Sequence, residues 1–272
     1  MANFTTIDGI QCYAPELAKE NDGFHAEGFD DLFRAESKSF WFRSRNNVIK
    51  TLVRKYVNKN NTKKFLEIGC GNAFVLSGLS QEFPEYQMWG AEIYLEGLKY
   101  AQKRLPNAKF IQLDATKIPF ESEFEAIGSF DVLEHIDQDE LVMQNIHKAL
   151  KPGGHFLISV PQYMWMWSIA DDYACHKRRY SKTELRTKLE NAGFEIEYIG
   201  SFVFALFPAM AVSRLLNKKQ KNEDLKAQGM EIFIHPAINA IFTAVMKIDE
   251  VLIKMGLSLP FGGSLIAVAK RK

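Results

Sequence analysis

The chain has 272 residues, enough for one large domain or two small ones with a substantial core. Hydrophobic residues make up 47% and charged residues 25%, a composition typical of globular proteins rather than disordered or fibrous ones. The formal net charge of +1 provides no field for gathering nucleic acid, so a nucleic-acid partner is not expected.

Cysteine usage and the N-terminus predict a cytoplasmic protein. Cys12, Cys70 and Cys175 are odd in number and widely spaced, which favours free thiols in a reducing compartment. The first residues lack the basic and apolar regions of a signal peptide. No apolar run approaches the roughly 18 residues that a membrane-spanning helix requires.

The first sixty residues are predicted to form an N-terminal helical cap. Residues 1–40 mix aromatic and acidic side chains and are interpreted as loosely helical, without a strand. From Phe40 to about Val57, apolar side chains recur at helical spacing and fall on one face. That face is made by Val48, Ile49, Leu52, Val53 and Val57.

The stretch Phe65–Leu76 predicts a strand, a tight turn and a helix in immediate succession. Gly69 and Gly71 let the backbone turn sharply and approach a ligand closely. Asn72 is placed to cap the following helix, whose amide groups would then face that ligand. The sequence therefore predicts a ligand site at this turn.

Two further residues of this stretch indicate the kind of ligand. A dinucleotide-binding G-x-G-x-x-G/A pattern needs a small third residue, where this chain has Phe74. Glu67 precedes the first glycine by two residues, and a carboxylate there suits a cationic amino group better than a pyrophosphate. Nicotinamide and flavin dinucleotides are therefore not expected.

Strands and helices alternate beyond this point, which predicts an α/β fold. We expect a Rossmann-like, seven-stranded, mostly parallel sheet whose last strand is antiparallel, with an N-terminal helical cap and a C-terminal helical insertion. The predicted division is a cap at 1–60, a core at 61–201, an insertion at 202–262 and the last strand at 263–272. After the first strand, the others are predicted at Gln87–Ile93, Lys109–Leu113, Ala126–Phe130, His155–Val160, Phe194–Ile199 and Ser264–Ala269.

The insertion contains an apolar run that must be covered. Phe202–Val212 is too short to span a membrane and too apolar to face water. A polar linker follows at Asn217–Gln228, and then a helix from Pro236 to Gly256 with one apolar face. Burial within the chain is the favoured interpretation. The alternative is an apolar lid or peripheral membrane-docking surface for a lipid-like acceptor.

Carboxylates follow the first four predicted strands, at Glu67, Glu92, Asp114 and Asp131. The carboxyl ends of parallel strands line one crevice, where ligands bind. Glu92 lies about twenty residues beyond the glycines, where an acid contacts both ribose hydroxyls. Asp114 can accept the adenine amino group. A single acid would suggest only a helix cap, whereas four at matching positions predict a nucleoside site.

The order of these motifs resembles the class I S-adenosylmethionine-dependent methyltransferases over about residues 40–200 and the final strand. Within that class it is similar to the ubiquinone-biosynthesis O-methyltransferases. Ala73 departs from the pattern, since many members have a third glycine there. The resemblance is carried by Phe65–Leu76, Gly90–Glu92, Leu113–Ala115, Phe130–His135 and Leu150–Gly154.

This resemblance implies that the cofactor is S-adenosylmethionine and the product S-adenosylhomocysteine. An arginine on the helix before the first strand binds the cofactor carboxylate in those enzymes, and two residues match it in context. The implied cofactor residues are Arg43 or Arg45 at the carboxylate, Glu67, Gly69 and Gly71 at the methionine end, Glu92 at the ribose, Asp114 and Ala115 at the adenine, and Phe130 in the pocket wall.

His135 is the candidate general base, because it follows the fourth strand and a neutral imidazole can take the proton of a hydroxyl acceptor. A histidine that only satisfies the core is the alternative. Asp131, Glu134 and His135 also have the i, i+3, i+4 spacing of a cation site. In the ubiquinone-biosynthesis O-methyltransferases a similar string is associated with magnesium, but many relatives share the string without a metal. No metal is therefore expected here.

The acceptor is predicted to enter over Pro161–Tyr180, the loop after the fifth strand. Its aromatic and basic side chains suit an acceptor with an apolar part and an anionic group. A solvated loop is the alternative for its basic residues. The residues predicted to contact the acceptor are Tyr163, His176 and Arg179.

The sequence thus predicts an S-adenosylmethionine-dependent methyltransferase for a small-molecule or lipid-like acceptor, with oxygen preferred as the methylated atom. Two other classes are weighed against it. A cofactor-binding module without catalysis is disfavoured by the acids at all four strand ends. A nucleic-acid methyltransferase is disfavoured by the charge and by the lack of an Asn/Asp-Pro-Pro-Tyr motif.

Overall fold

The computed structural model describes residues 3–18, 28–57, 64–216 and 235–272. The predicted polar linker Asn217–Gln228 lies outside the described residues. Three of the predicted features, the mixed sheet, the helix from Phe40 and the helix from Pro236, fall within them and are confirmed.

The described strands form one mixed sheet in the order β1-β2-β5-β4-β3-β6-β7-β9-β8. The pairings from β2 through β7 are parallel, and β9 lies antiparallel between β7 and β8. The prediction that the last strand is antiparallel is confirmed. The strands are β1 (Thr5–Ile7), β2 (Ile10–Cys12), β3 (Lys64–Ile68), β4 (Gln87–Glu92), β5 (Lys109–Gln112), β6 (Phe124–Phe130), β7 (Leu150–Pro161), β8 (Phe194–Phe202) and β9 (Ser264–Arg271).

Helices cover both faces of the sheet. The described α-helices are α1 (Gly28–Ala35), α2 (Phe40–Leu52), α3 (Phe74–Glu82), α4 (Leu95–Arg104), α5 (Asp139–Ala149), α6 (Ile169–Tyr173), α7 (Lys182–Asn191), α8 (Phe207–Leu216) and α9 (Pro236–Lys254). A π-helical turn at Val53–Val57 continues α2. Among the residues that the structure describes, no helix has the length and apolarity needed to cross a bilayer.

Strand β3 shows how the sheet separates two hydrophobic clusters. Phe65 belongs to the cluster beneath α2, α3, α4 and α9, while the next residue, Leu66, belongs to the cluster beneath α5 and α7. Both side chains are fully buried. Successive residues of a strand point to opposite faces, and both faces of this sheet are covered by helices. The ligand crevice predicted at the strand ends therefore lies on a sheet that is supported from both sides.

The prediction of a strand-free N-terminus is wrong for residues 5–12. Strands β1 and β2 form a hairpin, and β2 joins the sheet edge by parallel pairing with β5. Asp8 and Gly9 make the turn, with φ of 51° and 79°. An Asp-Gly pair between apolar, β-branched segments is a hairpin signal, and it was present in the sequence.

The insertion packs against α2 and against its own other half. Asp249 of α9 is fully buried and accepts hydrogen bonds from the amides of Phe204 and Ala205, at 2.6 and 3.0 Å. Glu250 accepts from the Ser44 hydroxyl of α2 at 2.8 Å. The polar side chains of α9 therefore anchor it to the protein.

Candidate active site

The glycine turn after β3 has the predicted backbone conformation. Gly69 and Gly71 have φ of +67° and +48°, in the region that favours glycine. A Cβ atom on Gly69 would lie 2.3 Å from Cγ2 of Val132, so a side chain there would collide with the segment after β6. Gly69 is therefore needed both for its conformation and for close packing.

The prediction that Asn72 caps α3 is wrong. The N-cap residue is Ala73, which has a φ of 57° and supplies no side-chain hydrogen bond. Asn72 is instead turned towards α1 and donates from Nδ2 to the carbonyl oxygen of Phe29 at 2.9 Å. The cause is the left-handed residue at position 73, which moves the helix start one residue along the chain.

Glu67 is a buried carboxylate whose Oε2 atom has no hydrogen-bond partner among the described residues. Its burial raises its pKa well above the ordinary value, although the nearby Arg45 opposes that shift. A buried acceptor atom without a partner is costly unless a ligand supplies the donor. The α-amino group of S-adenosylmethionine has the charge and donors that this position lacks.

Glu92 lies at the end of β4, beside the glycine turn. Its carboxylate accepts from the amides of Gly71 at 3.0 Å, Ile93 at 2.8 Å and Tyr94 at 3.3 Å. Burial raises the pKa of Glu92, and these backbone donors work against that rise. The three amides fix the carboxylate at the place predicted for the ribose.

The residues predicted to contact the adenine and to form the pocket wall are each buried or held by hydrogen bonds. Asp114 accepts through Oδ1 from both the amide and the hydroxyl of Thr116, each at 2.8 Å. Ala115 is buried directly after it. Phe130 is buried at the end of β6 and packs over Gly128, where an added Cβ would lie 2.5 Å from its ring. Of these three, only Asp114 offers a polar group.

Of the two arginines on α2, Arg45 lies in the crevice and Arg43 is exposed. Arg45 is buried and forms an ion pair with Oδ2 of Asp131. Its guanidinium lies 4.5 Å from the ring centroid of Trp41. It also lowers the pKa values of Glu67 and Glu134 against the effect of their burial. Arg45 is therefore the candidate for the cofactor carboxylate.

Glu134 and His135 form a polar cluster after β6, at the place predicted for the acceptor. Glu134 is fully buried, and neither carboxylate oxygen has a hydrogen-bond partner in the described part of the chain. Burial, reinforced by the Asp131 charge, raises its pKa well above the ordinary value. Burial and the neighbouring His176 lower the pKa of His135 to about 4, so its imidazole is neutral at pH 7.

His176 reaches this cluster from the loop at Pro161–Tyr180, here called the acceptor loop. Its ring is perpendicular to that of His135, at an angle of 81° and a centroid distance of 4.7 Å. Nδ1 of His176 lies 2.8 Å from Oδ1 of Asp171, which leaves Nε2 facing Glu134 Oε1 at 3.9 Å. Two elements separated by some forty residues of chain thus meet at one site.

Arg179 is not free for an acceptor, because Asp171 occupies its guanidinium. Nε and Nη2 of Arg179 donate to the two carboxylate oxygens of Asp171 at 2.7 and 2.9 Å. These bonds and the contact with His176 hold the pKa of the buried Asp171 well below its ordinary range. Arg179 therefore positions Asp171, and through it His176.

The three groups Glu134, His135 and His176 offer ligand atoms within 4.8 Å of one another, a spacing that a divalent cation could use. The sequence suggests Asp131, Glu134 and His135 as the cation ligands. In the structure His176 replaces Asp131 in this set, because Asp131 is engaged by Arg45 and by the hydroxyl of Ser159 at 3.1 Å.

Aromatic side chains join the acceptor loop to the insertion. Tyr163 stacks on Trp165, with ring centroids 5.8 Å apart, and both rings contact Phe207 at the start of α8. Phe207 also contacts Phe261, at 5.5 Å. Trp165 is 45% exposed and Phe261 38%, so this aromatic rim is open to an apolar ligand.

Sequence reasoning did not find Asp171 as a site residue. The signal available was Ser168-x-x-Asp171, a capping box that starts α6. That pattern predicts a helix start but does not predict contacts with His176 and Arg179.

Comparison with known proteins places the chain in a family. The model of a family described as a methyltransferase domain matches residues 40–199. A fatty-acid O-methyltransferase of Mycolicibacterium smegmatis is 26% identical over 117 residues, which cover 40% of this chain and 43% of that protein. A malonyl-acyl-carrier-protein O-methyltransferase of Priestia megaterium is 21% identical over 212 residues, 74% of this chain and 73% of that protein.

The chain spans 36% to 61% of the length of four curated relatives that it matches. Among solved structures, the cyclase SpnF has a TM-score of 0.54 at 19% identity, covering 83% of this chain and 81% of that one. That likeness shows the fold alone, since a fold can carry several activities. The family match covers more than half of the chain, and the protein belongs to the S-adenosylmethionine-dependent methyltransferase domain family.

Proposed function

We propose that the protein transfers a methyl group from S-adenosylmethionine to an oxygen atom of a lipid-like acceptor. The observation that carries the cofactor assignment is Glu67, whose buried carboxylate oxygen has no partner beside the Gly69–Gly71 turn. In this proposal the core at 61–201 and 263–272 holds the cofactor, and the insertion at 202–262 shapes the acceptor entrance.

The chain's own residues supply binding and orientation. The bound sulfonium is already an activated methyl donor, so alignment and exclusion of water are the main requirements. Arg45 is assigned to the cofactor carboxylate, Glu67 to its amino group and Glu92 to its ribose, because their charges complement those groups. Asp114, Ala115 and Phe130 are assigned to the adenine side of the pocket.

An apolar acceptor is supported by the aromatic rim of Tyr163, Trp165, Phe207 and Phe261. The fatty-acid and acyl-carrier-protein enzymes among the relatives act on acyl compounds, as their names state. Side chains of this kind bind the apolar part of a ligand while a polar group is held nearby. The polar group would then face the cluster of Glu134, His135 and His176.

His135 is assigned as the general base for a hydroxyl acceptor. Its lowered pKa keeps the ring neutral at pH 7, which is the form able to accept a proton, and also makes it a weaker base than a free imidazole. His176 beside it is held at Nδ1 by Asp171, and its ring makes an edge-to-face contact with the His135 ring. A carboxylate acceptor is already ionised at neutral pH and would need no base.

Two measurements test the proposal. Calorimetry should show micromolar binding of S-adenosylmethionine and S-adenosylhomocysteine, and tighter binding of a nicotinamide dinucleotide would overturn the cofactor assignment. Mass spectrometry should then detect methylation of long-chain hydroxy compounds or fatty acids. Cofactor binding without turnover on any acceptor would favour a binding module. Methylation of RNA or DNA instead would place the protein in the nucleic-acid class.

The same assay distinguishes a hydroxyl acceptor from a fatty-acid acceptor, and it tests whether the activity requires a metal ion. Dependence on His135 with a hydroxyl acceptor, and none with a fatty acid, is the pattern that the proposed base predicts. Activity should be the same with a chelator and with added magnesium. Loss of activity in the chelator would instead assign Glu134, His135 and His176 to a cation.

A further inference from the structure

Helix α9 has apolar side chains on both of its faces. Phe242, Val245 and Leu252 pack against the core cluster beneath α2. The opposite side exposes Ile241 at 61%, Ile248 at 51%, Val251 at 54% and Met255 at 70%. Positions 241, 248 and 255 repeat every seven residues, so these side chains form one stripe along the helix.

Three polar residues of α9, Asn239, Asp249 and Glu250, are on its packed side instead. Asn239 accepts from the amide of Phe40 at 2.8 Å and donates to the carbonyl oxygen of Lys38 at 2.9 Å. Asp249 is buried and accepts from the amides of Phe204 and Ala205, just before α8. Glu250 is bonded to Ser44 of α2. An amphipathic surface helix normally has the reverse arrangement, with polar residues outwards. The outward stripe of α9 therefore needs a covering surface.

We propose that this stripe docks the protein on the surface of an anionic lipid bilayer. The charged side chains that α9 exposes are Lys254 and Lys247, while its acids Asp249 and Glu250 are buried and half-buried. Nζ of Lys247 is also paired with Glu250 at 2.7 Å. Apolar residues flanked by lysines are the pattern of a helix that lies in the headgroup region. The helix is not of the kind that could cross the bilayer, so it would lie on the surface.

A second copy of this chain is less suited than a bilayer to cover the apolar stripe of α9. A stable protein interface uses roughly 20–30 residues on each side, whereas the stripe is one helix face wide. A bilayer needs no such area, because each inserted side chain gains its burial separately. The docking goes beyond the proposed function, since it concerns where the protein lies rather than which acceptor it methylates.

Vesicle flotation without cofactor or acceptor tests the docking separately from the proposed function. The full chain should float with vesicles of phosphatidylcholine and phosphatidylglycerol, and less with pure phosphatidylcholine. The double variant Ile241→Glu/Ile248→Glu should lower the partition coefficient by at least about tenfold, since two apolar anchors are lost.

Leu141→Glu is the matched control, because Leu141 is 37% exposed on α5, against the other face of the sheet. It should float as the unaltered chain does, and circular dichroism should show both variants folded. The proposal is overturned if the unaltered chain does not float or if the double variant floats equally well. A dimer in light scattering that only the double variant abolishes, without flotation, would assign the stripe to a second copy.

Discussion

Glu92 and Glu134 are both buried carboxylates beyond the ends of parallel strands, yet their surroundings differ. Glu92 accepts hydrogen bonds from three backbone amides, whereas neither Glu134 oxygen has a hydrogen-bond partner among the described residues. Burial raises both pKa values, and it raises that of Glu134 well above the ordinary value. The comparison indicates that backbone amides fix Glu92 in place, whereas Glu134, like Glu67 Oε2, leaves acceptor atoms available to a ligand.

The largest effect expected on the acceptor side is that of His135→Ala. Turnover of a hydroxyl acceptor should fall about 10²–10⁴-fold, the range of a lost general base, while cofactor affinity changes little. Steady-state kinetics and calorimetry measure the two quantities. His147→Ala is the control, because His147 of α5 contacts Phe194 of β8, away from the cluster. Unchanged turnover in His135→Ala would make the residue structural.

Asp171→Asn tests whether the acceptor side depends on its loop. Removing this charge leaves Arg179 without its carboxylate and should lower the free energy of unfolding by about 3 kcal/mol. Urea unfolding measures the loss, and Asp172→Asn is the neighbouring control. Turnover should fall as well, since His176 loses the contact that orients it. A stable variant with full activity would contradict the positioning role.

The stability difference between the unaltered chain and Asp171→Asn should depend on pH in a defined direction. The pKa of Asp171 is lowered in the folded state, so its stabilisation is present above the unfolded pKa of about 4. It is lost as the pH falls through the folded value. The stability difference between the unaltered chain and Asp171→Asn should be constant near neutrality and should shrink below about pH 4. A difference that grows on acidification would contradict the ion pair.

Glu92→Ala should weaken S-adenosylhomocysteine binding by about 1–3 kcal/mol through lost charge-assisted hydrogen bonds. Calorimetry measures the change, with Glu195→Ala as the control on an exposed position of β8. An affinity loss in Glu92→Ala no larger than in the control would remove Glu92 from the ribose site.

These two sides of the crevice also differ in how far the sequence predicts them. Glu67, Gly69, Gly71 and Glu92 follow directly from strand ends, whose register fixes where their backbone lies. The meeting of His135 with His176 depends on how Asp171 folds the acceptor loop, and no local pattern encodes that distance. Local signals were also overlooked, as at Asp8-Gly9, or misplaced by one residue, as at Asn72.

The smallest expected effect compares the two carboxylates directly. Glu134→Gln should change the unfolding free energy by less than about 1 kcal/mol near pH 4, because an amide there replaces a carboxyl group that burial keeps neutral by raising its pKa. Glu92→Gln should cost more, about 1–2 kcal/mol, since its new amide would face backbone donors such as Gly71 N–H. Urea unfolding of both variants makes the comparison.

The pH dependence of stability distinguishes two explanations for Glu134, a neutral buried carboxyl group and a carboxylate that binds a cation. Because its folded pKa is raised, the carboxyl is most favourable below the unfolded value of about 4.3, and its contribution declines as the pH rises. Glu134→Gln should therefore gain stability relative to the unaltered chain as the pH rises above about 4. If Glu134→Gln instead loses several kcal/mol at pH 7, and a chelator removes that difference, the carboxylate is ionised and holds a cation. The acceptor side would then be organised by a bound charge rather than by neutral groups awaiting a ligand.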